Sequence, residues 1–341
     1  MKTQYNNISE IKYGAPCRPG ANPLSLTRVN CCVCDVDDAD PIAVGEDFEY
    51  RTSPDTFLAV QCRGCGLVYL NPRPDVSELN RIYPADYHAF EFSAERYGFV
   101  YQVRRRLEAK RLLAACKGLD RNARIIDVGC GDGFHLRLLR DFGNPTWQLE
   151  GVDPSDLAAK AGACEGLLIH QGTVQSLDLP QASYDLAFMI ATIEHVDDPA
   201  SVLASVRSLL KPGGRVVIVT DNTDNLDFRL FKARHWGGYH FPRHWNLFNP
   251  KNLRLLAQKV DLEVEQLTTI VSPVNWVYSI RNTLVDWNAP RWLVRQFSLQ
   301  STLSLGTFTL FDMLHQWTGH GALLRATLKR PLSTSTSYKR M

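Results

Sequence analysis

Glycines and carboxylates alternate in the stretch RIIDVGCGDG, in a pattern that could hold a nucleoside. The apolar run reaches an acid at Asp127, and Gly129, Gly131 and Gly133 follow at alternate positions. Twenty positions after Gly133, the stretch WQLEGVDPS reaches a second acid, Asp153. Glycines let the backbone approach a ligand closely, and an acid after the second strand of such a unit accepts hydrogen bonds from ribose hydroxyls. The pattern therefore predicts a nucleoside-binding site.

The spacing of the glycines indicates which ligand the site would bind. A pyrophosphate favours the spacing G-x-G-x-x-G, with a helix N-terminus aimed at the phosphates, whereas this chain has G-x-G-x-G. Asp127 and Asp132 flank the turn. Carboxylates repel pyrophosphate but suit a ligand that carries a cationic amino group and no phosphate. We therefore expect S-adenosylmethionine as the cofactor.

Cysteines form a second pattern that could do chemistry. Cys31 and Cys34 make one C-x-x-C pair, and Cys62 and Cys65 make another. This spacing allows two knuckles to close a tetrahedral Zn²⁺ site. Four protein ligands leave no open coordination position, so we expect the zinc to be structural. Two alternatives stay open: Cys32 could replace Cys31 in the first pair, or the four thiols could be unrelated.

Composition restricts the class of protein. The chain has 341 residues, of which 45% are hydrophobic, and a net charge of +2. This is enough chain for one large domain and a small one, and the net charge by itself predicts no bulk affinity for nucleic acid or for membranes. The N-terminus MKTQYNNISEIKYG lacks the apolar core of a signal peptide, and no apolar run reaches the roughly 20 residues that a bilayer requires. We expect a cytoplasmic protein without a transmembrane segment.

The glycine turn must be positioned by a strand and a helix. ARIIDVGCGDG is typical of a buried parallel strand and a tight turn, and FHLRLLRDFG of the helix that follows. After the helix KNLRLLAQKV, we expect a sixth strand near LEVEQLTTI and a seventh near ALLRATLKR. Roughly fifty residues separate these two strands, far more than a usual hairpin loop. The sequence thus predicts an α/β protein with an insertion near its C-terminus.

Four motifs in the chain resemble those of a known family. RIIDVGCGDG, GVDPS, YDLAFMIATIEHVDDP and LKPGGRVVIVTDN occur in this order over about residues 122–222. They resemble the successive motifs of class I S-adenosylmethionine-dependent methyltransferases. The resemblance implies a Rossmann-like core of seven strands and a methyltransferase activity.

The same resemblance implies how the cofactor would be held. Asp127, Gly129 and Gly131 would border its methionine part, Asp153 would hold the ribose, and Pro154 would lie beside the adenine. The family often has an acid in the loop after the third strand, where it contacts the adenine amine. This chain has Thr173 and Val174 in that loop, and we expect a backbone group or a neighbouring side chain to replace the acid.

The N-terminal part resembles a narrower group. The cysteine pairs, the stretch CGLVYLNPRP and a segment with tyrosines are similar to a bacterial subgroup in which a zinc ribbon precedes the core. Its members include sugar C-methyltransferases and enzymes of natural-product or surface-glycan pathways. The expected acceptor is therefore a small molecule: a natural product, a sugar or a lipid-linked compound. The alternative is a non-catalytic scaffold protein that binds the cofactor and retains the fold.

Residues after the fourth strand could perform the transfer. Because methyl transfer is an in-line displacement, the protein mainly positions the acceptor and removes its proton. We predict that His195 is the catalytic base, with Glu194 as its orienting partner, and that His244 is the second candidate. Two alternatives remain: the family often has Glu-His here when another residue is the base, and a metal could bind at Glu194, His195 and Asp197.

The acceptor pocket is predicted from an aromatic segment. RHWGGYHFPRHWNLF follows the fifth strand, and in the family the corresponding segment lies over the acceptor. We expect Trp236, His240 and Arg243 to contact the acceptor from this segment, and Tyr83 and Tyr87 from the opposite side. A loop packed by its own aromatic side chains is the alternative.

The last third of the chain departs most from a minimal methyltransferase. Six of the seven tryptophans follow residue 230. The insertion could be a helical lid over a hydrophobic acceptor, a homodimer interface or a peripheral membrane contact, and its near lack of lysine favours the first two. The expected organisation is a tail (1–28), a zinc ribbon (29–74), a linker and helix (75–120), a methyltransferase core (121–271 and 321–331) and the helical insertion (272–320).

Overall fold

Short strands build the N-terminal part of the protein. The structure, a computed structural model, describes residues 17–84, 87 and 94–332; residues 1–16 of the predicted tail lie outside this range. The first strands are β1 (Leu26–Thr27), β2 (Ala39–Glu46), β3 (Thr56–Cys62), β4 (Val68–Leu70) and β5 (Arg73–Pro74). Helix α1 (Leu79–Ile82) and helix α2 (Ala94–Ala115), which is interrupted by a kink at Gly98, lead into the core.

Seven strands form the central sheet. They are β6 (Arg124–Val128), β7 (Gln148–Asp153), β8 (Leu168–Gln171), β9 (Tyr184–Ile190), β10 (Leu210–Asp221), β12 (Glu263–Ile270) and β13 (Leu323–Lys329). Their order is β12-β13-β10-β9-β6-β7-β8. The five strands from β10 to β8 run parallel, and β13 is antiparallel to both of its neighbours. The predicted Rossmann-like fold is confirmed.

Parallel pairing brings several polar side chains to one edge of this sheet. Asp127 pairs with Gly151 on β7 and with Phe188 on β9. Asp153 and Asp221 are the last residues of β7 and β10. Because parallel strands end at the same edge, ligands in such sheets bind there, in the crevice beyond the carboxyl ends. The fold therefore places the predicted cofactor residues where they can act together.

Helices cover the sheet, and their ends follow from local sequence. The α-helices between β6 and β12 are α3 (Phe134–Phe142), α4 (Asp156–Cys164), α5 (Pro199–Leu209), α6 (Leu226–Phe231) and α7 (Pro250–Lys259). Asp198 begins α5 by accepting hydrogen bonds from the amides of Ala200 and Ser201, each at 3.0 Å. A side-chain cap of this kind satisfies amides that have no partner within the helix.

The N-terminal sheet is joined to the core. Its strand order is β11-β4-β3-β2, and β11 (Asn246–Leu247) comes from the aromatic segment after β10. Cys31, Cys62 and Leu67 share one hydrophobic cluster with core residues such as Ile126 and Leu256. The N-terminal region therefore supports the segment that carries the predicted acceptor residues.

Three helices lie between β12 and β13: α8 (Val274–Asp286), α9 (Arg291–Gln296) and α10 (Thr302–Trp317). Trp276 of α8 stacks on Phe308 of α10, with ring centroids 5.9 Å apart. The buried Asp312 carboxylate accepts hydrogen bonds from the amides of Ser272 (2.8 Å) and Ala322 (3.2 Å). This one side chain therefore fastens α10 to both ends of the insertion. Across the described ranges, every helix is too short or too polar to cross a bilayer.

Candidate active site

Asp153 is held in place at the end of β7. Its Oδ2 accepts a hydrogen bond from the amide of Gly131, and its Oδ1 accepts one from the amide of Ser155, both at 2.9 Å. Burial raises the pKa of Asp153, while the two amides oppose that shift. A carboxylate oxygen has two lone pairs, so each oxygen can accept one further hydrogen bond. This geometry suits the two hydroxyls of a ribose.

The glycine turn provides space next to Asp153. Gly129 and Gly131 have φ values of 73° and 53°, which residues with a Cβ rarely adopt. A Cβ on Gly129 would lie 2.6 Å from Oγ1 of Thr192, whereas a Cβ on Gly131 would meet no atom within 4 Å. Gly129 is therefore needed for packing, and Gly131 faces open space that a ligand can enter.

Asp127 is the acid at the start of the turn. It is buried, and among the described residues its Oδ2 has no hydrogen-bond partner. The nearest cationic candidate is Nδ1 of His135, at 3.6 Å. Buried carboxylate oxygens are rarely left without a partner. The orphaned oxygen therefore fits the cationic amino group of S-adenosylmethionine.

The loop after β8 lies beside the end of β7, since the amide of Gly172 donates to the carbonyl of Asp153 at 2.9 Å. Pro154 and Thr173 are exposed, and the Thr173 hydroxyl lies 3.1 Å from that of Ser176. The Val174 side chain is buried in the core. Its backbone, not its side chain, is the part that could meet an adenine.

The two predicted histidines lie next to each other. The rings of His195 and His244 have centroids 4.5 Å apart and are nearly perpendicular, at 79°. Nδ1 of His195 is 2.8 Å from the Tyr83 hydroxyl and 3.2 Å from the carbonyl of Arg243. The structure thus brings together two candidate bases that are 49 positions apart in the chain.

His244 has a carboxylate partner, Asp221, that the sequence motifs did not indicate. Its Nδ1 lies 3.1 Å from Oδ2 of Asp221 and 2.8 Å from the carbonyl of Gly238. Burial opposes protonation, but Asp221 and Glu194 outweigh burial and raise the pKa of His244. An acid at the end of a core strand, in the stretch VIVTDN, is the sequence signal that could have identified Asp221.

Glu194 is buried beneath the histidines. Burial raises the pKa of Glu194 to about 7, although His244 lowers it. Its Oε2 accepts a hydrogen bond from Oγ1 of Thr220 at 2.8 Å, and its carbonyl accepts one from the amide of Trp245 at 2.7 Å. The Glu194 carboxylate therefore lies beside His244 and Thr220, whereas the sequence pattern predicted that it would orient His195.

The group of possible metal ligands in the structure differs from the predicted one in its third residue. Potential ligand atoms of Glu194, His195 and His244 lie within 4.8 Å of one another. Asp197, the residue expected to complete the site, is exposed and does not belong to this group within the described part of the chain. His244 takes its place, because the chain returns to the sheet edge after β10.

Arg243 and Trp236 lie in the interior, contrary to the expected contact with the acceptor. The Arg243 side chain is 0% exposed and forms two hydrogen bonds with Asp47, at 3.1 and 2.9 Å, and one with the carbonyl of Ile82, at 2.7 Å. Trp236 is buried and donates from Nε1 to Asp227 at 3.0 Å. Both side chains make their hydrogen bonds to other protein groups, so they are suited to position the segment that carries His244 and not to contact the acceptor.

The other predicted acceptor residues form an aromatic wall. The Tyr87 ring lies 5.0 Å from Tyr83, 5.8 Å from His240 and 5.5 Å from Tyr50. His240 pairs with Glu49 at 2.5 Å, and burial lowers the pKa of His240. The wall continues to the histidine pair, because the rings of His240 and His244 are 5.0 Å apart. The sequence did not indicate Tyr50, because no local pattern relates it to Tyr87 and His240, which lie far from it in the chain.

The four cysteines of the two C-x-x-C pairs also come together. All four sulfurs lie within 4.8 Å of one another, and those of Cys31 and Cys65 are 3.5 Å apart. Tetrahedral zinc with Zn–S bonds of about 2.3 Å requires sulfurs about 3.8 Å apart. A Cβ on Gly64 would lie 3.3 Å from the Cys34 sulfur. The donor set therefore fits Zn²⁺, with Cys31 and not Cys32 as the member from the first pair.

Comparisons with known proteins agree with this geometry. Residues 99–267 match a family described as a methyltransferase domain. A ubiquinone biosynthesis O-methyltransferase of Rhodopseudomonas palustris (strain BisB18) is 36% identical over 132 residues, which cover 34% of this chain and 50% of that protein. One of Cereibacter sphaeroides (strain ATCC 17029 / ATH 2.4.9) is 28% identical over 166 residues, which cover 46% of this chain and 67% of that protein.

A solved structure shows a similar fold. It is phosphoethanolamine N-methyltransferase 2 of Haemonchus contortus in complex with S-adenosyl-L-methionine, with a TM-score of 0.50 and 16% identity over 86% of this chain and 68% of that chain. The match to the first two curated relatives spans about half of their length. Residues 99–267 of the chain therefore form a methyltransferase domain.

Proposed function

We propose that this chain is a methyltransferase that transfers the methyl group of S-adenosylmethionine to a small-molecule acceptor. The observation that carries the proposal is the arrangement at the sheet edge. Asp153 lies at the end of β7, the open position at Gly131 follows β6, and the His244–Asp221 pair lies at the end of β10. A cofactor cleft and a candidate base therefore share the carboxyl edge of one sheet.

The cofactor would be held by the residues at the ends of β6 and β7. Asp153 would accept hydrogen bonds from the ribose, and the orphaned oxygen of Asp127 would pair with the amino group. The exposed Pro154 and the loop at Thr173 and Val174 would border the adenine. When bound, S-adenosylmethionine supplies a methyl group on a sulfonium, which a nucleophile can displace in line.

His244 is suited to remove a proton from the acceptor. The carbonyl of Gly238 and the carboxylate of Asp221 only accept hydrogen bonds, so Nδ1 of His244 carries the proton. Nε2 of the neutral ring is then the basic atom. The carbonyl of Arg243 constrains Nδ1 of His195 in the same way. The Tyr83 hydroxyl further fixes the His195 ring.

A base of this kind indicates the class of acceptor. Amines and enolates are already nucleophilic, whereas a hydroxyl gains from proton removal in the transition state. The names of the curated relatives, O-methyltransferases, agree with this choice. Tyr50, Tyr83 and Tyr87 supply aromatic faces beside the histidines. We infer an acceptor with an ionisable hydroxyl on a ring system.

The cysteine cluster serves the same site indirectly. We propose that Zn²⁺ binds Cys31, Cys34, Cys62 and Cys65 and stabilises the N-terminal sheet. That sheet contains β11, and the amides of Trp245 and Asn246 donate to the carbonyl of Glu194 at 2.7 and 3.1 Å. The zinc would thus hold the segment that carries His244 against the core, without taking part in the transfer.

Cofactor binding and methyl transfer test the proposal separately. Calorimetry should detect S-adenosylmethionine binding to the wild type, and isotope-labelled methyl transfer should be measured with a panel of phenolic acceptors. We expect His244→Ala to lower turnover about 10²- to 10⁴-fold with unchanged cofactor affinity. His315→Ala, on the outer insertion, is the matched control and should have no effect. Absence of cofactor binding would contradict the methyltransferase proposal, and equal turnover in the two variants would contradict the role of His244.

A further inference from the structure

Large apolar side chains are exposed on the insertion more densely than elsewhere. Of the twenty exposed large apolar side chains in the described ranges, eight lie between residues 287 and 317. They include three tryptophans: Trp287, Trp292 and Trp317, which are 72%, 68% and 79% exposed. Clusters of exposed apolar side chains of this kind are typical of sites that bind a partner.

Helix α10 carries most of this surface as one stripe. Leu303, Thr307, Leu310, Leu314 and Trp317 recur at helical spacing, and all five are exposed. We call them the α10 stripe. It extends over about 21 Å, given a rise of about 1.5 Å per residue. On the inner side of the helix, Phe308 and Asp312 fasten it to α8 and to the ends of the insertion.

The α10 stripe is not part of the acceptor pocket. The contact between the insertion and that pocket comes from α8, where Asn275 donates from Nδ2 to Asp221 at 2.7 Å. The α10 stripe lies on the side of α10 that faces away from α8. The insertion thus has one side toward the catalytic residues and a second, apolar side open to a partner.

The charges of the insertion indicate the partner. Arg291 and Arg295 flank the exposed Trp292 on α9, and both are exposed. The Ser304 hydroxyl donates to the carbonyl of Gln296, which joins the end of α9 to the first turn of α10. The basic residues therefore lie next to the start of the α10 stripe.

Acidic side chains of the insertion do not neutralise these arginines. Asp286 pairs with Arg234 and His235, and Asp312 is buried. Among the described residues, no ion pair involves Arg291 or Arg295. A second copy of the chain would bring the same unpaired cations to a two-fold interface, where like charges repel. An anionic lipid headgroup supplies the missing charge.

We propose that α9 and α10 bind the surface of an anionic membrane. The α10 stripe and the tryptophans enter the boundary between headgroups and acyl chains, and Arg291 and Arg295 contact the headgroups. Tryptophan is suited to this boundary because its ring is amphipathic. The chain then acts at a lipid surface while its catalytic pocket, on the α8 side, stays open to the acceptor.

Vesicle sedimentation of the full chain tests this inference. Vesicles of phosphatidylcholine are compared with vesicles that contain 30% phosphatidylglycerol, at low and high salt. We expect binding that requires the anionic lipid and weakens at high salt, because salt screens the arginines. The variant R291Q/R295Q should bind the anionic vesicles about 30-fold more weakly, since each arginine near such a surface contributes about fivefold. The variant L310S/L314S/W317S should bind at least about tenfold more weakly.

Leu168→Ser provides the control. Leu168 is 54% exposed on β8, at the opposite edge of the central sheet from the insertion, and its loss should leave vesicle binding unchanged. Equal sedimentation with both kinds of vesicle, or no binding to either, would overturn the proposal. So would sedimentation velocity showing a wild-type dimer that L310S/L314S/W317S converts to monomer, because the stripe would then be an interface between copies.

Discussion

Asp221 and His244 form a hydrogen-bonded pair, with 3.1 Å between Oδ2 and Nδ1, at the end of strand β10. Asn275 of the insertion donates to the other oxygen of Asp221 at 2.7 Å. Asp221 therefore links the candidate base to α8. In the proposed reaction, the carboxylate would stabilise the imidazolium that forms when His244 takes a proton.

Replacing Asp221 should change the pH dependence of the reaction. A base must be neutral to act, so turnover falls as the pH drops below the pKa of His244. Because Asp221 raises that pKa, we expect Asp221→Asn to shift the acidic limb of kcat/KM to lower pH. The maximal rate should drop about tenfold, since the Gly238 carbonyl still fixes the tautomer. Steady-state rates between pH 5 and 9 measure both effects. An unmoved limb would show that His244 is not the titrating base.

The ribose contact can be tested by cofactor affinity. Asp153→Ala removes a charged acceptor, and we expect binding of S-adenosylmethionine to weaken by about 2–3 kcal/mol, or about 30- to 160-fold. Asp156→Ala is the matched control, because this exposed carboxylate pairs with Lys160 on the surface of α4. Calorimetry should give wild-type affinity for the control. Equal affinities in the two variants would refute the assignment of Asp153.

The cysteine cluster predicts a bound metal. Elemental analysis of the purified chain should find about one zinc, and Cys62→Ser with Cys65→Ser should remove it. We expect the melting temperature to fall by at least about 5 °C, because metal binding is coupled to folding of the N-terminal sheet. Cys164→Ser provides the control, since Cys164 is exposed and lies outside the cluster. Metal-free wild-type protein of unchanged stability would contradict the zinc proposal.

The buried ion pair of Arg243 and Asp47 should stabilise the fold next to the aromatic wall. Arg243→Ala leaves the buried carboxylate of Asp47 without its cation, and we expect a loss of about 3–5 kcal/mol in the free energy of unfolding at pH 7. Burial alone would raise the pKa of Asp47, but Arg243 holds it well below its usual value. Wild-type stability from this pair is thus present above pH 4 and is lost as the pH falls through the folded pKa.

In the variant, the amides of Tyr50 and Thr52 still donate to the Asp47 carboxylate, but the ion pair that lowers its pKa is absent. The wild-type stability from the ion pair is lost below pH 4, so the difference from wild type should narrow between pH 7 and pH 3. Urea unfolding at both values measures it. Arg63→Ala, which breaks an exposed ion pair with Asp38 and Asp40, should leave the midpoint nearly unchanged. A constant difference at the two pH values would argue against an ion pair between Arg243 and Asp47.

Local patterns were sufficient for much of this protein. The turn around Gly129 and Gly131 could be predicted because positive φ values and close approach require glycine within a few residues of a strand. Both C-x-x-C pairs were recognisable because each knuckle is local. The strands β12 and β13 were also predictable despite the long insertion, since each has its own apolar pattern.

Tertiary structure decided the chemistry of the acceptor side. Arg243 and Asp47 are 196 residues apart in the chain, and β11 pairs with β4 across a similar separation. Residue type alone suggested that Arg243 contacts the acceptor, and it gave no indication that Asp221 pairs with His244. Whether a charged side chain faces a pocket or a buried partner depends on which distant strands pair, and that choice is made by burial of the whole core, not by the residues beside it.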